Sequence, residues 1–505
     1  MRLNILMGGK AGQGINKISE IVSETLVRHG YYVFVYRDYQ SLIRGGHNFN
    51  IVSISDKRIG SFESRLDGIV ALDEKTLELH KDELKKEAFI ITSEKYADLG
   101  INLNIALAGA LIKTLGLNKE IFLDIIKKEF EEESIKIANE GHDEKGKLFN
   151  LIKLNNKISL MSGNQGFALG ALNSKLDLYF SYPITPATGL MNELSSKQIE
   201  KNLMVFQLEN EIAVINAALG ASFTGAKAMI GTSGAGFDLM SESLSLQGQV
   251  EVPLVIYLAS RPGPGTGVPT YTSQADLNMA LMSGHGEFPR IVVAPGDPLE
   301  AAEKTNEAFY MAEKFKTLAI IYSDKDLAEG IFSIDKNPRF PLNIETRRDV
   351  PPKKIVKVSS YESDEEGNTT ESASKIISNA KKRLEKIEQI KKEISNFEMI
   401  KMHGKKDSKN LVIGWGSTKS VILDAIKDLD VRFLQVLYLE PFPEQVKEEM
   451  LKAGKTILIE CNSTGQLGRL IREKTGIEIK EKILKYDARP FTSNLLKQDI
   501  ERSIK

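Results

Sequence analysis

Between residues 157 and 330, short apolar runs alternate with helix-like segments, and this alternation limits the chain more than any other feature. Strands are expected near 178–182, 203–207, 227–231, 253–259, 290–294 and 317–322, and helices near 211–223, 236–247 and 299–315. A strand followed by a helix and then another strand favours a crossover connection, and such crossovers build a parallel sheet covered on both faces. In open sheets of this kind, ligands bind outside the carboxyl ends of the strands. Candidate chemistry is therefore sought where each apolar run stops.

The rest of the chain extends the same architecture. Residues 1–150 read as a first α/β unit. Its strand Leu3–Met7 runs into Gly8-Gly9-Lys10-Ala11-Gly12-Gln13-Gly14, and a helix follows with Ile15, Ile18, Ile21, Val22 and Leu26 on one face. Further strands are expected at Tyr32–Tyr36, Asn50–Ile54, Ile69–Leu72 and Phe89–Thr92, again in a largely parallel sheet. Residues 331–409 differ. Pro338, Pro341, Pro351 and Pro352 precede the polar run Ser359–Ser374, after which Ala380, Leu384, Ile387, Ile390, Ile394 and Phe397 recur at spacings of three and four. That spacing predicts a charged amphipathic helix serving as a connector. A smaller α/β unit, 410–505, opens at Leu411-Val412-Ile413-Gly414-Trp415, with strands near 432–438, 455–460 and 482–486. The expected class is α/β: three α/β units (1–150, 157–330 and 410–505) and the connector 331–409.

Composition removes several function classes. The net charge of −1 offers no basic field for nucleic acid. No apolar run approaches the roughly 18 residues of a membrane span. Cys461 is the only cysteine, so no internal disulfide can form, and a reducing, cytoplasmic setting is expected. This chain alone cannot hold an iron–sulfur cluster, which needs about four thiolates. No metal-ligand set stands out.

Six segments carry candidate chemistry. Tyr182-Pro183-Ile184-Thr185-Pro186 follows the apolar run Leu178-Tyr179-Phe180, and its two prolines stiffen the backbone around the Thr185 hydroxyl. Gly8–Gly14 stands between a strand and a helix, where glycines and helix N–H groups can cradle an anion, or simply make a tight turn. Arg44-Gly45-Gly46-His47 puts two polar side chains on a flexible turn. Glu209-Asn210-Glu211 opens a helix of small and apolar residues that is expected to be buried, and a carboxylate there suits either a ligand or the helix dipole. Gly231-Thr232-Ser233-Gly234-Ala235-Gly236 can line a ligand closely. Arg261 ends the run Leu258-Ala259-Ser260, where a guanidinium suits a carboxylate but equally suits a solvated rim. Taken singly, each of these has an ordinary structural explanation.

Taken in order, they do not. The succession of Tyr-Pro-Ile-Thr-Pro, Glu211 at the mouth of a small-residue helix, Gly231–Gly236 and Ser260-Arg261 resembles the α subunit of the thiamine-dependent 2-oxoacid:ferredoxin oxidoreductases. Gly-Gly-Lys-Ala-Gly-Gln-Gly and Ile-Arg-Gly-Gly-His resemble that family's γ domain, fused here ahead of α. Residues 410–505 resemble the transketolase C-terminal-like domain. The fusion, with Ser-Asp-Glu-Glu-Gly at 363–367, is most similar to the two-subunit branch acting on 2-oxoglutarate or on a broad range of 2-oxoacids.

The resemblance implies roles residue by residue. Glu211 matches the glutamate that hydrogen-bonds the aminopyrimidine of thiamine diphosphate. Thr185 and Arg261 match the residues that contact the 2-oxoacid, with Tyr182 shaping the pocket beside them. Gly12, Gln13, Gly14, Arg44 and His47 fall on the coenzyme A side. The implied reaction converts a 2-oxoacid, coenzyme A and oxidised ferredoxin to acyl-CoA, carbon dioxide and reduced ferredoxin. Whether the 2-oxoacid is pyruvate, 2-oxoglutarate or a broad range stays open.

The departures from the family pattern also inform. Ala11 and Ala187 stand where glycine and serine are common. No Gly-Asp-Gly…Asn-Asn motif for magnesium and the diphosphate is present, and Asn155-Asn156 has no such partner upstream. Magnesium and a [4Fe-4S] cluster are therefore expected on a separate β subunit, in an assembly of the (αβ)2 kind. The rival expectations are a thiamine enzyme subunit that does not use ferredoxin and a catalytically inactive scaffold paralogue.

Overall fold

The computed structural model describes residues 1–41, 46–144, 146–346 and 358–505. Arg44 and the Pro351-Pro352 pair lie outside the described residues. The chain forms two compact units. One comprises residues 1–162, 329–337 and 491–499, and the other comprises 163–328, 338–490 and 500–505. The α/β class holds throughout, with three sheets between them.

The first unit is built on one seven-stranded sheet. Its order is Leu84–Thr92, Leu66–Ala71, Arg2–Lys10, His47–Ser55, Tyr32–Asp38, Ile331–Ile334 and Ser159–Ser162. The expectation of a largely parallel sheet fails here. Only the pairings that involve Leu66–Ala71 are parallel. His47–Ser55 lies antiparallel between Arg2–Lys10 and Tyr32–Asp38, and Ile331–Ile334 is antiparallel to both of its neighbours. The cause is connection length. Residues 39–46 are too few for the crossover that a parallel pair requires, so the chain turns straight back. Helices Ile15–Arg28 and Leu103–Leu115 cover the sheet, with Ile18, Ile21, Val22 and Leu26 buried in its core.

The second unit carries two sheets. The larger runs in the order Tyr438–Glu440, Arg290–Val293, Leu318–Asp324, Leu254–Ser260, Ala228–Thr232, Leu178–Ser181 and Met204–Gln207. All its neighbours are parallel except the first pair. The strands predicted from 178 to 322 are all present, displaced by no more than a residue or two. The helix expected at 236–247 is two helices, Gly234–Leu239 and Ser241–Val250, which meet at Met240. The smaller, five-stranded sheet has the order Ile400–Gly404, Arg432–Val436, Asn410–Trp415, Lys455–Glu460 and Glu481–Leu484. Both sheets share one apolar core that includes Ile256, Ile320, Trp415 and Leu434.

A buried ion network joins the elements of this unit. Glu300 accepts from Lys401 Nζ at 2.9 Å, from Gln435 Nε2 at 2.7 Å and from the Gly296 N–H at 2.8 Å. It also pairs with Lys419, and Lys419 in turn pairs with Asp297. The two lysines hold the Glu300 carboxyl below the usual range against the opposing cost of burial.

The connector helix spans Ala373–Ile394, but its apolar stripe is covered only at one end. Ile390 and Ile394 are buried, whereas Leu384 and Ile377 are exposed. No helix among the described residues is long and apolar enough to cross a membrane.

Candidate active site

In the larger sheet of the second unit, the chain passes from Leu178–Ser181 outward to Met204–Gln207 and then returns to Ala228–Thr232 on the other side. The direction of winding therefore reverses between Leu178–Ser181 and Ala228–Thr232. A crevice outside the carboxyl ends of two such strands is where an open α/β sheet binds ligands. Tyr182–Pro186 leaves one strand at this point and Ser233–Gly236 leaves the other. The register aligns Ser181 with both Gln207 and Gly231, and Ser181 Oγ donates to the Gly231 carbonyl at 2.8 Å.

The proline turn is fastened from beneath. Tyr257 donates to Asn164 Oδ1 at 3.0 Å, and Asn164 Nδ2 donates to the Pro186 carbonyl at 3.5 Å. Tyr257 and Asn164 are both buried, so the turn rests on a fixed support. Arg261, at the end of Leu254–Ser260, donates from Nη1 to the Thr185 carbonyl at 2.9 Å. The structure thus brings Thr185 and Arg261 together. Arg261 Nε is buried and has no hydrogen-bond partner. Tyr182 is 40% exposed on the rim of the same turn.

Glu211 is the first residue of helix Glu211–Thr224, which Asn210 caps by accepting from the Ala213 N–H at 2.9 Å. Glu211 is only 7% exposed. Among the described residues its carboxylate makes no hydrogen bond. The expectation of a fully buried helix is corrected. Val214, Ile215, Ala218 and Leu219 face the sheet, but Ile212 and Phe223 are exposed. The helix is apolar nearly all round, and the sheet covers one side only.

The Gly231–Gly236 turn now has a physical account. A Cβ on Gly236 would lie 2.6 Å from Glu211 Oε1, and one on Gly234 would lie 2.5 Å from Asp276 Oδ2. The turn runs between two carboxylates that leave no room for side chains. Ser233 Oγ, at its centre, is buried without a partner.

Asp276 was not anticipated from the sequence. It lies in an irregular stretch, 270–276, where neither strand nor helix periodicity marks it. Ser260 Oγ donates to Asp276 Oδ2 at 2.6 Å, and the Asp276 N–H donates to the Tyr322 hydroxyl at 3.1 Å. Burial raises the Asp276 carboxyl above its usual range, while the Ser260 hydrogen bond and the Arg261 charge oppose the rise. Burial likewise lowers Arg261, and Asp276, then Glu211, act against that. One guanidinium is therefore balanced by two carboxylates at a strand-end crevice.

A second acidic pair ends the strand Leu318–Asp324. Asp324 is buried and accepts from Ser417 Oγ at 2.6 Å and from Thr272 Oγ1 at 3.1 Å. Burial, with Asp324 beside it, pushes the Asp326 carboxyl up to about 7. The folded chain then holds this proton more tightly than the unfolded chain does. The stability gained is complete below the unfolded carboxylate range and is lost as pH rises through about 7. Asp326→Asn is expected to raise the thermal midpoint at about pH 8, by a margin that narrows steadily toward about pH 5. Melting curves at the two pH values check this, and a margin independent of pH would count against it.

The glycine turn of the first unit differs from its sequence reading. The strand continues through Gly8 and Gly9 to Lys10, because Gly8 packs against His47 and Thr76 and Gly9 against Leu72. The turn is closed by Gln13, whose N–H donates to the Lys10 carbonyl at 3.1 Å and whose Oε1 accepts from the Lys10 N–H at 2.6 Å. Gly12 and Gly14 have φ of 92° and 80°, where a side chain is strained. Ala11 is not among the positive-φ residues, so alanine costs the turn nothing there.

His47 opens the strand His47–Ser55 and is buried. Its Nε2 lies 2.9 Å from His80 Nε2, and His80 Nδ1 lies 3.2 Å from Glu83 Oε1. Burial first, and His80 second, lower its imidazole below the usual value. His80 and Glu83 carried no signal in the sequence, because they sit on an unremarked helix and turn.

The residues of the second unit suit an aminopyrimidine. Glu211 is buried, its carboxylate makes no hydrogen bond among the described residues, and Gly236 presents no side chain against it. An ionised carboxylate offers acceptors only, and a protonated ring nitrogen would complete one of them.

Comparison with known proteins agrees. Residues 169–399 match the family described as pyruvate flavodoxin/ferredoxin oxidoreductase, thiamine diphosphate-binding. Residues 4–102 match the pyruvate ferredoxin/flavodoxin oxidoreductase family. The 2-oxoacid:ferredoxin oxidoreductase subunit alpha of Sulfolobus sp. is 29% identical, with 100% of this chain and 97% of the relative covered. The corresponding subunit of Saccharolobus solfataricus is also 29% identical, over 99% of this chain and 98% of its own. The 2-oxoglutarate oxidoreductase subunit KorA of Mycobacterium tuberculosis is 33% identical over 59% of this chain and 50% of its own. Among solved structures, a 2-oxoglutarate:ferredoxin oxidoreductase from Magnetococcus marinus shares the fold, with a TM-score of 0.90, 24% identity and full coverage of both chains. That likeness places the architecture, while the sequence relatives and the family matches place the lineage. Over its whole length this chain is similar to the α subunits of the 2-oxoacid:ferredoxin oxidoreductases, and the two family matches fall on residues 4–102 and 169–399.

Proposed function

We propose that this chain supplies the pyrimidine-binding and substrate-binding half of an active site that a β subunit completes. The reaction converts a 2-oxoacid, coenzyme A and two oxidised ferredoxins to acyl-CoA, carbon dioxide, two reduced ferredoxins and a proton. The observation that carries this reading is the buried Glu211, whose carboxylate makes no hydrogen bond among the described residues, at the winding reversal of the sheet beside the Arg261–Thr185 contact.

Each side chain has a defined task. Glu211 holds a hydrogen bond at Oε to the ring nitrogen of the aminopyrimidine and so fixes the protonation of that ring. Arg261 orients the 2-oxoacid carboxylate through the guanidinium N–H groups that Thr185 leaves free. The Thr185 hydroxyl donates to the substrate's carboxylate or keto oxygen. Tyr182 closes the rim and limits water. Arg261 contributes by positioning, since a firm grip on a carboxylate that must leave as carbon dioxide would oppose the reaction. When bound, thiamine diphosphate supplies the carbon nucleophile and the electron sink of the decarboxylation.

Magnesium, the diphosphate and a [4Fe-4S] cluster belong to the β subunit, because this chain has one cysteine and no Gly-Asp-Gly…Asn-Asn motif. The exposed Ile212 and Phe223 on the Glu211 helix support a protein partner on that side. Gly12, Gln13, Gly14, Arg44 and His47 serve the coenzyme A side, and the positive-φ glycines support close backbone approach there. The 2-oxoglutarate bound by the Magnetococcus protein makes 2-oxoglutarate the first 2-oxoacid to test, with pyruvate second.

The test uses the chain co-expressed with its β subunit. The complex is expected to reduce ferredoxin or a low-potential dye when given a 2-oxoacid and coenzyme A, without NAD. The isolated chain is expected to show no turnover. Full activity of the isolated chain would refute the shared site, and an inert complex would refute the assignment as an enzyme.

A further inference from the structure

Arg261 ties the proline turn to the strand-end crevice, yet its charge is not free. Two carboxylates face it. One, Glu211, is assigned to the cofactor ring. The other, Asp276, has no role in the reaction as described, and the fold goes to some length to place it. Ser260, the residue just before Arg261, donates to its Oδ2 at 2.6 Å. The hydroxyl of Tyr322, itself buried, accepts from its backbone N–H at 3.1 Å. Gly234 leaves out a side chain that would come within 2.5 Å of the same oxygen. Residues from two adjacent strands and the glycine turn thus converge on one acid that makes no hydrogen bond to Arg261.

We propose that Asp276 sets how tightly Arg261 holds the 2-oxoacid carboxylate, acting as a positioning residue through its charge. This rests on the assignment of Arg261 as the carboxylate-binding residue. A guanidinium with no nearby anion would bind the substrate carboxylate strongly in the ground state and hold it as it departs. Binding energy spent equally on substrate and transition state does not accelerate the chemical step, and energy spent more on the substrate slows it. Asp276 weakens the field at Arg261 and leaves its fork of N–H groups in place. The carboxylate is still aligned by hydrogen bonds, but its loss as neutral carbon dioxide costs less. The hydroxyl of Ser260 keeps Asp276 in position and favours its ionised form.

The αβ complex, prepared with Asp276→Asn, Asp276→Glu and Arg261→Ala chains, tests this in two ways. Steady-state dye reduction gives kcat and KM for 2-oxoglutarate and pyruvate. Calorimetry gives the affinity of 2-oxoglutarate for the complex prepared without thiamine diphosphate. Asp276→Asn is expected to lower KM and Kd about five- to tenfold and to lower kcat by at least as much. Asp276→Glu, which restores the charge, is expected to return both toward the native values. Arg261→Ala is expected to raise KM. Unchanged constants in Asp276→Asn, or a raised KM like that of Arg261→Ala, would overturn the proposal and leave the role of Arg261 standing. An Arg261→Ala enzyme with native constants would remove the carboxylate assignment, and this proposal with it. Should Asp276→Asn fail to assemble, Ser260→Ala is measured instead. The same direction of change, smaller in size, supports the proposal, and no change overturns it.

Discussion

Glu211→Ala is expected to lower kcat of the assembled enzyme by about a hundred- to a thousandfold, in the range lost when a positioned proton-transfer group is removed. Glu211 is buried and its carboxylate makes no hydrogen bond among the described residues, so its removal deletes no such bond and opens only a small cavity beside Gly236. The chain should therefore fold and assemble normally, and the defect should appear in turnover. Glu211→Gln keeps the shape and loses the charge, and it is expected to fall between the alanine and the native enzyme. The measurement is dye reduction by the complex, with assembly checked by gel filtration. Native turnover in the alanine variant would separate this side chain from the reaction.

Gly236→Ala is expected to cost about ten- to a hundredfold in kcat/KM, by a route in which no functional group is lost. The added Cβ would stand 2.6 Å from Glu211 Oε1, so the carboxylate must move aside. A displacement of about 1 Å at a reacting group can cost on the order of a hundredfold. Helix propensity points the other way. Gly236 lies inside helix Gly234–Leu239, where alanine is ordinarily more stable than glycine by up to about 1 kcal/mol. The two effects are separable: a stable, assembled, slow enzyme is the expected result. Native activity would mean that Glu211 tolerates the shift and that its position is less exacting than the crevice suggests.

The parts of this structure that were legible in the sequence are those governed by local periodicity. Six parallel strands of the second unit, from Leu178–Ser181 to Leu318–Asp324, are short apolar runs separated by helices, so period and punctuation sufficed. The mixed first sheet was hidden because the runs Tyr32–Tyr36 and Asn50–Ile54 look the same whether a turn or a crossover joins them. Only the length of residues 39–46 distinguishes the two cases. The connector shows the limit of reading amphipathicity. Leu384 keeps the helical spacing, yet none of the described residues covers it.

At the site, Thr185, Glu211 and Arg261 were visible because each ends or follows a strand within a distinctive motif. Asp276 and His80 were not, since their neighbours in space come from strands or loops far away in the chain. Asp276 meets Ser260 across sixteen positions, and His80 meets His47 across thirty-three. No pattern within a short window carries such a pairing.

The seven-stranded sheet has a consequence for biosynthesis. Its strand Ile331–Ile334 is hydrogen-bonded to Tyr32–Asp38 and Ser159–Ser162, and residues 491–499 also belong to that unit. Residues 1–162 therefore cannot complete this unit until residues 331–334 and then 491–499 have been synthesised. Until then the nascent Tyr32–Asp38 ribbon offers an unpaired margin to any other strand nearby. Excising the leading segment at about residue 150 as a freestanding piece would leave that margin open permanently.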